Sequence, residues 1–226
     1  MSIKEAKRLT YSTRSALYGP SREGFYWNDH ILSDYSAYLD YKYNSNQAKE
    51  LRSSGFGLVN THRANGIHSG TGILLALSDT SNENQRVLSN KSAEFYSFSR
   101  NALSNQSYPT SIMGSMALIR QFFHDLEWYS ENQANNKDYA IEAAIENSLL
   151  PKIWNSGSNL NFLRALKISK ELDIPFAVVG SGLEYMDINT ISKHKNEFII
   201  PVNFPEAYDA VSYTHLTLPT STHVFV

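Results

Sequence analysis

An α/β fold with a parallel sheet is what this sequence predicts, and three observations carry the prediction. A unit of helix, tight turn, short apolar strand and polar strand end occurs three times, at 47–63, 159–182 and 186–203. Between the first two copies lie two segments whose apolar residues recur at helical spacing. The composition, 42% hydrophobic, 19% charged and 12% aromatic over 226 residues, is that of a globular protein of one large or two small domains.

Taken in order, residues 1–45 are polar and aromatic with little periodicity and read as an irregular segment. Gln47–Ser54 is a short helix ended by Gly55, and Phe56–Val59 is a strand closed by the polar run Asn60 to Arg63. Ile73–Leu77 and Phe95–Phe98 read as strands around a polar loop at Ser78–Asn90. Ser111 to Tyr129 places Ile112, Met116, Ile119, Phe123 and Leu126 on one helical face, with Thr110 or Ser111 as the cap. Asp138 caps a second helix that turns Ile141, Ala144, Ile145 and Leu149 inward and is stopped by Pro151. Asn159–Leu172 has its apolar positions at 160, 163, 166 and 172 and is broken by Asp173 and Pro175. Phe176–Val179 is then a buried strand ended by Gly180 and Gly182, Met186–Lys195 a helix, and Phe198–Val202 a strand followed by Asn203. The strands at 56–59, 176–179 and 198–202 are expected to be parallel members of one sheet. The chain so divides into an irregular segment (1–45), an α/β body (46–210) and a tail (211–226).

Charge and cysteine content remove whole classes of function. With 20 Lys plus Arg against 22 Asp plus Glu the net charge is −2, so no bulk positive field exists to hold nucleic acid. The absence of cysteine excludes disulfides, thiol nucleophiles and Cys-ligated metal. It is compatible with a periplasmic or cell-envelope setting for a parent protein. Apolar runs such as Gly72–Leu77 fall far short of the roughly 20 residues of a membrane helix. Residues 211–226 contain no charged residue. Val211–Thr220 resembles, position by position, a translated transposase adapter of sequencing libraries, so this tail is read as non-native and the sequence as metagenomic.

In parallel α/β folds ligands meet the carboxyl ends of strands, which directs attention to Thr61–Gly72. His62 and His68 there are candidates for ligating a metal or moving a proton, because imidazole titrates near neutral pH. Their spacing is not that of a helical ligand pair, and structural hydrogen bonding explains them equally well. Arg63 and, at later strand ends, Glu184 and Asn203 complete the candidate pocket. Glu184 suits a general base or a helix-capping carboxylate. Gly66, Gly70 and Gly72 lack the lysine and the spacing of a phosphate loop. Ser115 and Ser181 have no nucleophile-elbow surroundings. His30 and His124 read as structural, and the aromatic run Tyr35–Tyr43 as packing or as a surface for stacking sugars or peptides.

Four segments together, SREGFYWNDHI (Ser21–Ile31), GFGLVNTHR (Gly55–Arg63), YPTSIMGSMALIRQ (Tyr108–Gln121) and IPVNFPEAYD (Ile200–Asp209), resemble large amidohydrolase-family proteins of the Bacteroidetes type. Those proteins are similar to imidazolonepropionase-like hydrolases and carry tandem modules, so the resemblance implies that this chain is an internal piece of the first module. It implies a (β/α)8 barrel, here partial and truncated at both ends. It also implies one or two divalent metals, zinc foremost, that activate water to cleave C–N bonds of small amides or cyclic amides. The family's His-x-His motif occurs nowhere in this sequence. Leu183 stands where the family usually has an acid, and Ala64 and Asn65 where a His-Asp pair is common. The fragment itself is therefore expected to hold no metal and to be inactive, its catalytic residues unassigned. Its expected partner is a second amidohydrolase module of the same parent chain. Two alternatives stand beside this: a noncatalytic docking module, and a sugar- or peptide-binding module built on the Tyr-rich region.

Overall fold

A computed structural model describes residues 23–79, 83–132 and 137–201. The readings made for the tail and for Asn203 lie outside the described residues.

The elements fall into two groups that connection length separates. The first holds helices α1 (Ala37–Asp40) and α2 (Ser45–Ser53), strands β1 (Leu58–Thr61), β2 (His68–Thr71) and β3 (Ile73–Ala76), the single turn α3 (Glu83–Arg86), and strands β4 (Val87–Ser89) and β5 (Glu94–Ser97). The second runs through α4 (Ile112–Asn132), α5 (Tyr139–Glu146), β6 (Lys152–Asn155), α6 (Asn159–Leu172) and β7 (Phe176–Val179). A 3-10 turn (Glu184–Asp187), α7 (Ile188–Ile191) and β8 (Phe198–Ile199) complete it.

Parallel pairing needs a crossover of about a dozen residues or more. The links joining β1 to β4 are too short for that. Accordingly β1 pairs antiparallel with β3, and β3 with β4, in a three-stranded sheet of order β1-β3-β4. The links after β5 carry helices, and there β5, β6, β7 and β8 run parallel in the order β2-β5-β6-β7-β8, with β2 antiparallel at one end. The strand expected at 56–59 therefore forms at 58–61 and belongs to the small antiparallel sheet, a correction to its place beside 176–179 and 198–202. Those two strands are parallel neighbours, as expected. Barrel closure is not what the described residues show: they form an open sheet.

Helices cover the sheet face carrying Tyr96, Trp154, Phe176 and Val178. Met116, Ile119 and Phe122 of α4, Ile141 and Ala144 of α5, and Phe162, Ala165 and Leu166 of α6 join them in one core. Trp154 is fully buried at the centre, offset-stacked on Tyr96 at 6.0 Å and edge-on to Phe176 at 5.1 Å. β6, the strand that carries it, was not anticipated. Only Ile153 and Trp154 of its four residues are apolar, and Lys152 looks like a solvent residue until its partner is known.

Local expectations fare unevenly. Asp138 does cap α5, its carboxylate accepting from the amides of Ala140 and Ile141 at 2.9 and 3.0 Å. The helix stops at Glu146, however, so Leu149 lies beyond it and is 97% exposed. In α6 the inward stripe is Phe162, Ala165, Leu166 and Ser169, and Leu160 is exposed. The expected polar loop at 78–90 contains α3 and β4, and the helix expected at 186–195 shortens to the 3-10 turn and α7.

The described part of the irregular segment is woven into the core. The Leu32 amide donates to the His68 carbonyl at 2.8 Å, and the Thr71 amide to the Tyr35 carbonyl at 3.0 Å. Gly70, at φ +81°, makes this close approach possible, because a Cβ there would drive into the carbonyls of Tyr35 and Leu32.

Candidate functional site

The carboxyl ends of β5 and β6 border a pocket of about 280 Å³. Ser97 with Ser99 enters it from β5, Asn155 with Ser156 from β6, and Asn161 from the first turn of α6. Ser69 and His62 close the opposite side, while Phe98 and Ile112 supply apolar wall.

Each polar group is placed by the local fold. Ser156 Oγ donates to the Val179 carbonyl at 2.7 Å, tying the end of β6 to that of β7. Ser97 Oγ donates to the Gly66 carbonyl at 2.9 Å and accepts from the Ser99 amide at 3.0 Å. Ser69 Oγ donates to the Phe95 carbonyl at 3.2 Å. Ser158 caps α6 through the Asn161 amide at 3.3 Å, which sets the first turn of that helix at the pocket edge. Asn161 Oδ1 accepts from Arg164 at 2.8 Å, whereas the exposed Asn155 carboxamide makes no hydrogen bond among the described residues. The wall is thus hydroxyl and carboxamide, with one imidazole and no carboxylate.

Of the candidate site residues His62, Arg63, His68 and Glu184, all among the described residues, the structure brings His62 to this pocket. Its ring lies flat on Phe95, centroids 3.8 Å apart, and Nδ1 sits 2.8 Å from the Arg63 carbonyl oxygen. Burial moves its pKa below the ordinary histidine value, partly offset by that contact. Arg63 points elsewhere, donating to Asn101 Oδ1 at 3.1 Å with its guanidinium 5.1 Å from the Tyr35 ring centroid.

His68 is in β2 rather than in a loop, and it is 0% exposed. It stacks on Tyr96 at 4.3 Å, and its Nε2 lies 3.5 Å from Glu94 Oε1. Desolvation, with the positive charge of Lys152 second, pulls its pKa down to about 3, so the ring is neutral at physiological pH. Glu94 is itself 1% exposed and 3.1 Å from Lys152 Nζ; burial raises its pKa, against the lowering effect of Lys152. This buried group, with the Tyr96 hydroxyl 3.3 Å from Glu94 Oε2, was not legible in the sequence, where its members are 26 to 84 positions apart or on alternate strand positions.

Glu184 is occupied by its own loop, accepting from the Ser181 amide and hydroxyl at 2.5 and 2.9 Å and from the Gly182 amide at 2.8 Å. His30 is buried, and its Nδ1 accepts from the Asn101 amide at 2.9 Å. His124 is exposed, 3.8 Å from Glu127. In the aromatic run, Tyr35 and Tyr41 pack on the small sheet and Tyr43 lies under Arg86 at 3.8 Å, while Tyr38 is exposed.

Sequence reading missed Ser97, Asn155, Ser156 and Asn161. The rule that ligands meet strand ends finds Asn155 and Ser156 at once when β6 is recognised.

The described residues do not fit a divalent metal. His62 and His68 lie on different elements, one ring pressed on Phe95 and the other sealed behind Tyr96. Among the described residues no group of three His, Cys, Asp or Glu side chains is arranged to hold one. No described helix is long and apolar enough to cross a membrane.

No protein-family model matches the sequence, and no curated protein matches it. Among solved structures, an amidohydrolase from Thermotoga maritima MSB8 superposes with a TM-score of 0.65 at 14% identity, over 87% of this chain. The chain therefore shares its mixed α/β fold, with a parallel-strand sheet, with part of that structure. The chain spans 57% of the length of that structure.

Proposed function

We propose that this chain is part of a hydrolase that cleaves C–N bonds of small amides, and that its own residues bind the substrate without forming the metal centre. The pocket of Ser97, Asn155, Ser156 and Asn161 at the strand carboxyl ends carries this reading. A carboxamide donates and accepts side by side, as the Asn155 side chain can in return, while the Ser97 and Ser156 hydroxyls, their protons given to Gly66 and Val179, offer acceptors. With no carboxylate or ammonium in the wall, a neutral ligand enters without leaving a buried charge unpaired. In this reading the parallel sheet is one portion of a (β/α) barrel. The catalytic residues and the second module belong to other parts of the parent protein, and the chain alone does not turn over substrate.

Asn155 orients the ligand amide, the seryl hydroxyls offer secondary acceptors, and Phe98 and Ile112 exclude water from one side. Removing one neutral hydrogen bond costs about 1 kcal/mol, or roughly fivefold in affinity. Amide-resolved NMR titration with hydantoin and benzamide tests this. Saturable shifts at Ser97, Asn155 and Ser156, weakened about fivefold by Asn155→Ala, support the reading. Absence of saturable shifts at those residues overturns the binding role. Zinc-stimulated ammonia release that disappears in His62→Ala overturns the metal-free assignment.

A further inference from the structure

At the opposite ends of the parallel strands lies a larger groove, about 890 Å³, between the end of α6 and the segment joining α7 to β8. Its floor is apolar, formed by Ile174, Pro175 and Ala177. Four lysines border it, Lys152, Lys170, Lys193 and Lys195, against two carboxylates, Asp173 and Glu197. The chain as a whole has a net charge of −2, so this is a local reversal of sign.

Lys152 is taken up by Glu94 at 3.1 Å. Lys170, Lys193 and Lys195 form no ion pair among the described residues, and His194 is half-buried between the last two. The lysine-bearing segment is held in place rather than trailing. Asn196 Nδ2 donates to Ser169 Oγ at 2.7 Å and to the Phe176 carbonyl at 3.0 Å, and the Val178 amide donates to the Glu197 carbonyl at 2.9 Å. Lys170 at the end of α6 is where a helix dipole favours a cation without any ligand. That does not account for Lys193 and Lys195, which come from a different segment and meet Lys170 across the same groove.

We infer that this groove binds a small organic anion with an apolar body, the lysines taking its charged group and Ile174 and Pro175 its hydrocarbon. Cations fixed around an apolar floor attract an anion that can leave water on one side, and the contact weakens with salt. The shared chemistry is an anionic group on a ring or short chain; phosphate and carboxylate are its two sources.

Phenyl phosphate, phthalate, inorganic phosphate and benzyl alcohol, each titrated into the isotope-labelled chain at low salt, form the test. Saturable shifts at 170, 174 and 193–196 are expected with phenyl phosphate or phthalate, the stronger of the two identifying the preferred anion. The double variant Lys193→Ala/Lys195→Ala weakens this binding about tenfold or more, and Lys170→Ala provides an independent check should the double variant fail to fold. Equal binding of benzyl alcohol removes the role of charge, and equal binding of inorganic phosphate removes that of the apolar floor. Either result overturns the inference, as does a phenyl phosphate and phthalate response unchanged in the variants or absent altogether.

Discussion

Acid should unfold this protein through His68, and the size of the effect follows from where the ring sits. The imidazole is fully buried, stacked on Tyr96 and 5.6 Å from the Phe122 ring, with a pKa of about 3 against an ordinary 6.5. The folded state therefore refuses a proton that the unfolded chain accepts once the pH drops below 6.5. Stability from this group is fully present above that pH and is lost progressively as the pH falls towards 3. Each pH unit in that interval is worth about 1.4 kcal/mol, so going from about pH 7.5 to about pH 5 removes roughly 2 kcal/mol. Glu94, whose folded pKa is raised, works in the opposite direction: its burial penalty eases as acid protonates it. The two are separated by comparing the chain with His68→Phe, which keeps an aromatic ring against Tyr96 and leaves Glu94 in place. Urea unfolding of both proteins at the two pH values is the assay. The stability of the parent relative to His68→Phe should fall by about 2 kcal/mol on acidification. An unchanged difference would refute the claim that His68 is held neutral, as would a ring-proton titration with its midpoint near 6.5 in the folded state.

Other outcomes follow from the same structure. Lys152→Ala strands the Glu94 carboxylate in the core and should cost about 3–5 kcal/mol at neutral pH; thermal melts should show part of that loss recovered in acid, where Glu94 is protonated. Trp154→Ala opens a cavity among Tyr96, Phe98 and Phe176 and should cost about 3–5 kcal/mol by urea unfolding. Gly70→Ala meets both a positive φ and two carbonyl oxygens, and a loss of about 2 kcal/mol or more is expected in the same assay. Calorimetric titration with zinc should give only weak, about millimolar, binding that His62→Ala leaves unchanged. Micromolar binding abolished by that substitution would contradict the placement of His62 on Phe95.

How much of this was legible beforehand differs element by element. The Ser111–Tyr129 stripe and the Asp138 cap are local statements, settled by 3.6-residue periodicity and by one carboxylate reaching two amides. Phe176–Val179, an unbroken apolar run between turn signals, is the pattern of a strand covered on both faces. β6 was not legible because its identity lies in its neighbours: a lysine that is tolerable only beside Glu94, and a tryptophan that fills a space bounded by Tyr96, Phe98 and Phe176. The candidate pocket inherited that blindness, since two of its side chains end the missed strand. His62 and His68 were paired in the sequence by proximity, and the fold separated them.

By itself, then, the sequence determined the helices with a clear apolar stripe, the helix and buried strand spanning 159–179, and the absence of thiol chemistry. Those depend on the order of residue types over a few turns of chain. Only the tertiary structure decided which strands share a sheet, because that rests on whether a link is long enough to cross over and on which faces remain to be covered. It also decided that one histidine is sealed in the core while the other edges a pocket. Burial is a property of what packs around a residue, and the groups that bury His68 are supplied by strands and helices that the chain brings back from 28 and 54 positions further on.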